Sequence, residues 1–309
     1  MTPRDISVAI PTYQREKVLI DTIETLLGST GELELLIIDQ TPAHEAWTTA
    51  RLGELSAAGR VRWLKLDAPS IPHAMNVALL EATRPVVLFL DDDVEPAAGL
   101  VAAHAASYDD PALWAVVGQV LQPGELPTTA NGRYRRDGLR AFLDFPFNST
   151  EKAWVTNVMA GNLSVRRERA LAAGGFDENF VGAAYRFETE FCRRLCRSGG
   201  RVLFQPNARL RHLRVASGGT RAHGDHLTSP SSAHGVGDYY FALREGFGWE
   251  SVAYMVWRPL RKIRARFYVR RPWWIPVGLL GEVRAFVLAV RLFQRGPRYV
   301  VPPRVLRRR

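Results

Sequence analysis

The sequence predicts an α/β protein built on a mostly parallel sheet flanked by helices, followed by a basic, amphipathic helical extension. Three observations carry this. Through residue 110, short apolar runs alternate with helix-periodic stretches in the order β-α-β-α-β-α-β. The run Val86–Leu90 passes directly into Asp91, Asp92 and Asp93, so a fully buried strand ends in three carboxylates. Charge is segregated as well: residues 251–309 hold 15 Arg or Lys and one acid, Glu282, a net +14, while the rest holds 26 basic and 30 acidic residues, a net −4.

Taken in order, Ile6–Ile10 is a short strand that ends at Pro11-Thr12-Tyr13. A helix over about Glu16–Leu27 sets Val18, Leu19, Ile23, Leu26 and Leu27 on one side. Glu34–Asp39 is a second buried strand ending in an aspartate, Ala46–Ala58 a helix and Val61–Leu66 a third strand. Ser70–Ala82 starts as a loop and becomes a helix; Val86–Leu90 is the fourth strand, followed by a helix over Ala97–Ser107. Trp114–Leu121 reads as a strand, and Pro123–Ala153 as an irregular insertion too long for a simple connection. Glu168–Ala173 is a helix closed by Gly174-Gly175, and Glu188–Ser198 another that stops at Gly199-Gly200. Val202–Phe204 and Leu210–Leu213 are short strands. Ser217–Gly237, with five Gly, four Ser and three His, reads as a mobile loop, and the chain from Asp238 is helical and basic. This divides the chain into an α/β domain over 1–237, in two parts over about 1–110 and 111–237, and an extension over 238–309.

At 47% hydrophobic and 23% charged, the chain can bury a core and is not disordered by composition. Cys192 and Cys196 lie four apart in a helical run, a spacing that suits neither a disulfide framework nor a metal site. The first residues lack the apolar run of a signal peptide, and no stretch approaches a membrane-spanning length. The expectation is a cytoplasmic protein, peripheral at the cytoplasmic face of the membrane.

Three adjacent carboxylates at the end of a buried strand repel one another and are costly to bury unpaired. Oxygen ligands of this kind suit a hard divalent cation, Mg²⁺ or Mn²⁺, shared with substrate phosphates. The carboxyl end of a parallel strand is also where open α/β sheets bind ligands. The blander alternative is that Asp91–Asp93 open a solvated loop and cap the next helix.

In order, VAIPTYQRE at Val8, LLIIDQT at Leu35, PSIPHAMNVAL at Pro69, FLDDDVEP at Phe89, AGNLSVRRE at Ala160, GGFDENF at Gly174 and FETEFCRRLCRSGGRVLFQPNARLRH ending at His212 form a set that resembles the family 2 glycosyltransferases, which have the GT-A fold. The resemblance covers roughly residues 5–215. It casts the two parts of the α/β domain, over about 1–110 and 111–237, as nucleotide-binding and acceptor parts of a catalytic domain. It implies an inverting transferase that moves a sugar from a nucleoside-diphosphate sugar to a hydroxyl of a saccharide or lipid-linked acceptor, with a divalent cation as cofactor. It implies that Pro11, Thr12, Tyr13 and Asp39 hold the nucleotide and that Gly161 and Asn162 lie near the donor sugar, with Asn76 and Asp92 also at the donor. Metal contact maps onto Asp91 and Asp93, with Asp92 able to substitute, and His212 matches a histidine used near the metal or diphosphate. The catalytic base maps onto Glu188, with Glu190 as alternative; residues two apart on a helix point to different sides, so at most one faces the site. Two departures stand out. Phe187 replaces the first acid of the base motif, and Met75 stands where an arginine often precedes Asn76, so that a diphosphate contact is either missing or supplied by Arg15 or by an arginine of the later loops.

Two other readings compete. A nucleotidyltransferase that forms sugar nucleotides shares this sheet type, but it usually opens with a glycine-rich phosphate loop, and Val8–Arg15 has no glycine. The basic tail suggests nucleic acid, yet Trp257, Trp273, Trp274 and many aliphatics accompany its arginines in helical patterns. Val252, Met255, Val256, Leu260, Ile263 and Phe267 repeat at helical spacing across Pro259, and Gly278–Gln294 repeats the pattern. That mixture suits an anionic membrane surface through residues 251–309 better than a duplex groove, and no nucleic-acid partner is expected. His223, His226 and His234 have no zinc spacing.

Overall fold

The computed structural model describes residues 1–29, 32–129, 145–215, 217–219, 225 and 227–300. The strands are β1 (Ile6–Thr12), β2 (Glu34–Asp39), β3 (Arg62–Lys65), β4 (Val86–Leu90), β5 (Val94–Pro96), β6 (Leu113–Leu121), β7 (Ala153–Trp154), β8 (Asn162–Arg166) and β9 (Arg201–His212). The helices are α1 (Lys17–Ser29), α2 (Ala46–Ala57), α3 (Ile71–Glu81), α4 (Leu100–Ala105), α5 (Arg167–Ala172), α6 (Phe187–Arg197), α7 (Val236–Arg244), α8 (Trp249–Ile263), α9 (Arg266–Arg270) and α10 (Ile275–Arg295). All strands join one sheet in the order β3-β2-β1-β4-β8-β6-β9-β5, with β7 on β9. Pairing is parallel from β3 through β4, antiparallel at β4–β8, β8–β6 and β9–β5, and parallel again at β6–β9.

Alternation along the strands explains why both faces are covered. Val8, Ile10, Leu35, Ile37, Leu88 and Leu90 point to one face, under α1, α2 and α4. Ala9, Leu36, Ile38, Val87 and Phe89 point to the other, where α3, α6, α7 and α10 contribute to a single larger core. That core is aromatic: Phe176, from the GGF turn, stacks at 4.1 Å on Phe191 and meets Phe89 edge-on at 5.6 Å.

The structure refines several expected boundaries. Val202–Phe204 and Leu210–Leu213 are parts of one long strand, β9, and the AGN segment leads into β8. β5 is three residues long and has no periodicity from which to read it; it exists because it pairs with the end of β9. The division expected at residue 238 falls inside α7, whose Val236, Tyr239, Tyr240 and Phe241 lie in the same core as Ala285, Ala289 and Leu292 of α10. Helix α8 runs on through Pro259. Cys192 and Cys196 are free thiols on α6. Among the described residues, no helix is long and apolar enough to cross a membrane.

Candidate active site

The sheet changes direction of winding between β1 and β4, because β2 and β3 lie on one side of β1 and β4 on the other. Such a switch point leaves a crevice at the strands' carboxyl ends. Here it brings Thr12 of β1 beside the aspartates after β4, with Thr12 Oγ1 donating to Asp92 Oδ2 at 2.8 Å. The cleft is lined by Pro11, Thr12, Tyr13, Arg15, Gln40, Pro69, Ser70, Ile71, Met75, Asp91, Asp92, Asp93, Ala160, Gly182, His212 and Gly219.

The three aspartates diverge. Asp92 turns inward, to Thr12 and to Arg15 Nε at 3.2 Å. Burial pushes its carboxyl up to about 7, against the opposing pull of Arg15 and the Thr12 hydrogen bond. Asp93 receives Arg15 Nη2 at 3.1 Å and Val215 N–H at 3.0 Å on one oxygen, and its other oxygen faces His212 Nε2 at 3.2 Å. Burial alone would raise Asp93, but His212 and Arg15 more than offset it and hold it below the usual carboxylate range. The Asp91 side chain is about half exposed, with Oδ2 3.7 Å from His212 Nε2. Thr22 of α1 fixes the backbone of this turn by donating to the carbonyls of Asp92 and Val94.

His212 arrives through strand pairing. Register sets it opposite Val94, and Leu213 N–H donates to Asp93 O at 2.8 Å. One oxygen each of Asp91 and Asp93 and one His212 nitrogen thus lie within 4.8 Å of one another. Two hard oxygen donors, one imidazole and an open side toward the cleft fit a divalent cation of the Mg²⁺ or Mn²⁺ type. Gly161 makes room for this group: a Cβ there would lie 2.1 Å from Asp91 Oδ2.

Glu188 and Glu190 separate as helix geometry requires. Glu190 is buried in a bidentate pair with Arg194, at 2.9 and 2.8 Å. Glu188 is partly exposed in the first turn of α6. Burial of its carboxyl pushes its pKa up to about 7; Arg186 opposes the rise, and the charges of Asp91 and Asp238 add to it.

Three residues expected at the donor are placed elsewhere. Asp39 is fully buried and accepts from Thr41 N–H, Trp63 Nε1 and Lys65 Nζ, with His44 Nε2 at 3.0 Å; Gln40 beside it lines the cleft instead. Asn76 is buried on α3 and joins Phe176 and Glu178. Asn162 is buried in β8 and bonds to Gln119 O, Ala208 O and His104. In each case side-chain hydrogen bonding is consumed within the fold. Arg15, one of the residues weighed for the diphosphate contact, lies on the cleft wall, and its guanidinium meets Asp92, Asp93 and the carbonyls of Val215 and Ser217. Sequence reasoning missed Gln40, Ser70 and Gly182. Only Gly182, at φ +67°, had a local signal as a turn glycine. His223 and His226 lie outside the described residues.

An uncharacterized protein, y4gI, of Sinorhizobium fredii is 27% identical over 234 residues, which cover 69% of this chain; the match spans only 25% of that relative. Among solved structures, S. aureus TarS 1-349 in complex with UDP-GlcNAc superposes with a TM-score of 0.61 at 16% identity, covering 94% of this chain and 83% of that one. The mannosyltransferase PcManGT from Pyrobaculum calidifontis, in complex with GDP-Man and Mn²⁺, superposes with a TM-score of 0.55 at 19% identity, covering 96% and 80%. These likenesses establish the GT-A fold, a mostly parallel sheet with helices on both faces. The model of glycosyl transferase family 2 matches residues 7–175, more than half of the chain and the stretch that builds both β1 and the aspartate turn, so the chain belongs to glycosyl transferase family 2.

Proposed function

We propose that the protein transfers a sugar from a nucleoside-diphosphate sugar to a hydroxyl of a saccharide or lipid-linked acceptor, with inversion at the anomeric carbon. The observation that carries this is the convergence of Asp91, Asp93 and His212 at the mouth of the switch-point cleft, with Glu188 close enough for the charge of Asp91 to raise its pKa. Pro11, Thr12, Tyr13, Gln40 and Ser70 form the wall for the nucleotide, and Arg15 brings a positive charge to that wall while bonded to Asp92 and Asp93. Asp91, Asp93 and His212 would hold a divalent ion, which when bound supplies Lewis-acid assistance to the leaving diphosphate. Glu188 accepts the proton of the attacking hydroxyl, a role that suits a pKa close to the working pH. A single displacement with Glu188 as the base inverts the anomeric carbon. Glu190 is locked to Arg194, so no second carboxylate on α6 is free to act as a nucleophile.

The test is hydrolysis and transfer with UDP-, GDP- and dTDP-sugars, with and without Mn²⁺. Glu188→Gln should lower turnover by roughly 10²–10⁴ with little change in donor affinity. The product anomer, read by proton NMR at early times, should be inverted. Activity in Glu190→Gln lost in place of Glu188→Gln, or a retained anomer, would sink the reading.

The acceptor's setting follows from the tail. Helix α10 buries one side and exposes the other, and α8 half-buries its inner side and exposes its outer one. Trp249, Val252, Val256 and Leu260 form one exposed stripe, and Leu279, Val283, Phe286 and Val287 another. Glu282, the one acid of residues 251–300, is buried against Arg258 and Lys262, so the outer surface is apolar and cationic. That composition supports peripheral docking on an anionic membrane surface, at the cytoplasmic face, where a lipid-linked acceptor would be met.

A further inference from the structure

The buried sides of these same helices converge on the turn that introduces α6. Ala183 N–H donates to Ala233 O at 3.1 Å, and a Cβ on Gly237 would lie 2.2 Å from Tyr185 O, so residues 233–237 press on the turn without a gap. Arg186 caps α6 with φ +75°, a left-handed conformation that a side-chain-bearing residue keeps only when its surroundings enforce it. Its Nε donates to Asp238 Oδ1 at 3.1 Å. Asp238, nearly buried on α7, also receives the Tyr254 hydroxyl and Arg258 Nη1 at 2.7 Å, both from α8. Arg258 in turn meets Glu282 of α10 at 3.0 Å, and Glu282 accepts from Tyr239 and Lys262.

We propose that Asp238 is a positioning residue for catalysis: by anchoring Arg186 it fixes the first turn of α6 and with it the placement of Glu188. This rests on the reading of Glu188 as the base. The physical case is one of shared partners. Two buried carboxylates, Asp238 and Glu282, hold three cations, Arg186, Arg258 and Lys262, so losing the Asp238 charge leaves Arg186 without its partner. Arg186 is the member nearest the chemistry, two residues before Glu188, and it reaches the network through a single bond at the rim. A loose Arg186 frees the strained turn to relax, and the base moves with it.

The experiment uses the full chain and the UDP-, GDP- or dTDP-sugar that supports turnover, with water as acceptor. Arg186→Gln cuts the link while leaving Asp238 paired with Arg258 and Tyr254, so it is expected to fold; Asp238→Asn cuts it from the other side. Each should lower kcat at least tenfold with donor KM within about twofold, and Asp238→Glu should restore part of the loss. In a Glu188→Gln background, Arg186→Gln should have little further effect, because the two act through one group. A kcat within twofold of wild type for Arg186→Gln, or an equal further loss in the Glu188→Gln background, overturns the proposal. Those outcomes stand apart from failure of the base assignment, which is read from Glu188→Gln alone.

Discussion

At the scale of single residues, the site depends on how little room surrounds Asp91. Gly161→Ala puts a methyl 2.1 Å from Asp91 Oδ2, so the carboxylate must swing away from His212 and Asp93. The backbone at Gly161 needs no glycine for its φ, so the substitution tests space and not chain conformation. Turnover should fall as it does for Asp91→Asn or Asp93→Asn, by about 10²–10³, with the thermal transition nearly unchanged. If Gly161→Ala kept wild-type turnover in Mn²⁺, Asp91 would not be needed where it stands. Glu188 adds a pH signature. A base must be unprotonated to act, and with a pKa of about 7 its active fraction falls as pH drops through 7. Turnover should therefore lose about tenfold per unit below pH 6, and this acid limb should vanish in Glu188→Gln.

At the scale of elements, what was legible in the sequence was local. The strands of the β-α alternation announced themselves because both faces are covered and every residue from Val86 to Leu90 is apolar. Strands made by long-range pairing did not: β5 and the middle of β9 are held by partners distant in sequence. The same limit explains Asn162. A motif match sends it to the donor, but β6 and β9 lose register between Gly118 and Gln119, and the Asn162 amide fills the gap by donating to Gln119 O and Ala208 O. Its carbonyl oxygen faces Nε2 of His104, which burial holds at a pKa of about 4 and hence neutral; the bond therefore assigns the ring proton to Nε2, and Nδ1 accepts from Ser164. Asn162→Ala should orphan two buried carbonyls at about 1–3 kcal/mol each. The expected result is a melting temperature lower by several degrees with donor KM little changed; a shift in KM without loss of stability would return Asn162 to the donor site. Asp39 carries the same lesson, since Trp63 and Lys65 reach it only through the β2–β3 register.

At the scale of the whole molecule, one set of helices serves two surfaces. The buried side of α10 gives Ala285, Ala289 and Leu292 to the main core, so deleting the tail would unfold the domain and could not report on membrane binding. Substitution on the outer side can. Val252 and Val256 are exposed, lie on one stripe of α8, and point away from Asp238 and Arg258 on the buried side. Arg261, Arg264, Arg266, Arg270 and Arg271 on α8, α9 and the turn after it are exposed, against one exposed acid, Glu250, and the buried Glu282 on helices α8 to α10. Each basic residue near an anionic leaflet contributes about 1 kcal/mol, so three engaged together raise partitioning by roughly 10². The full chain should float with vesicles containing phosphatidylserine at physiological salt, and not with neutral vesicles. Binding should weaken as salt rises, since exposed charges are screened. Val252→Asp with Val256→Asp adds two desolvation penalties and two repulsive charges at the apolar stripe, so flotation should be lost while hydrolysis of the donor in solution persists. Wild-type protein that stays with the soluble fraction on anionic vesicles would make this face an interface with another protein instead.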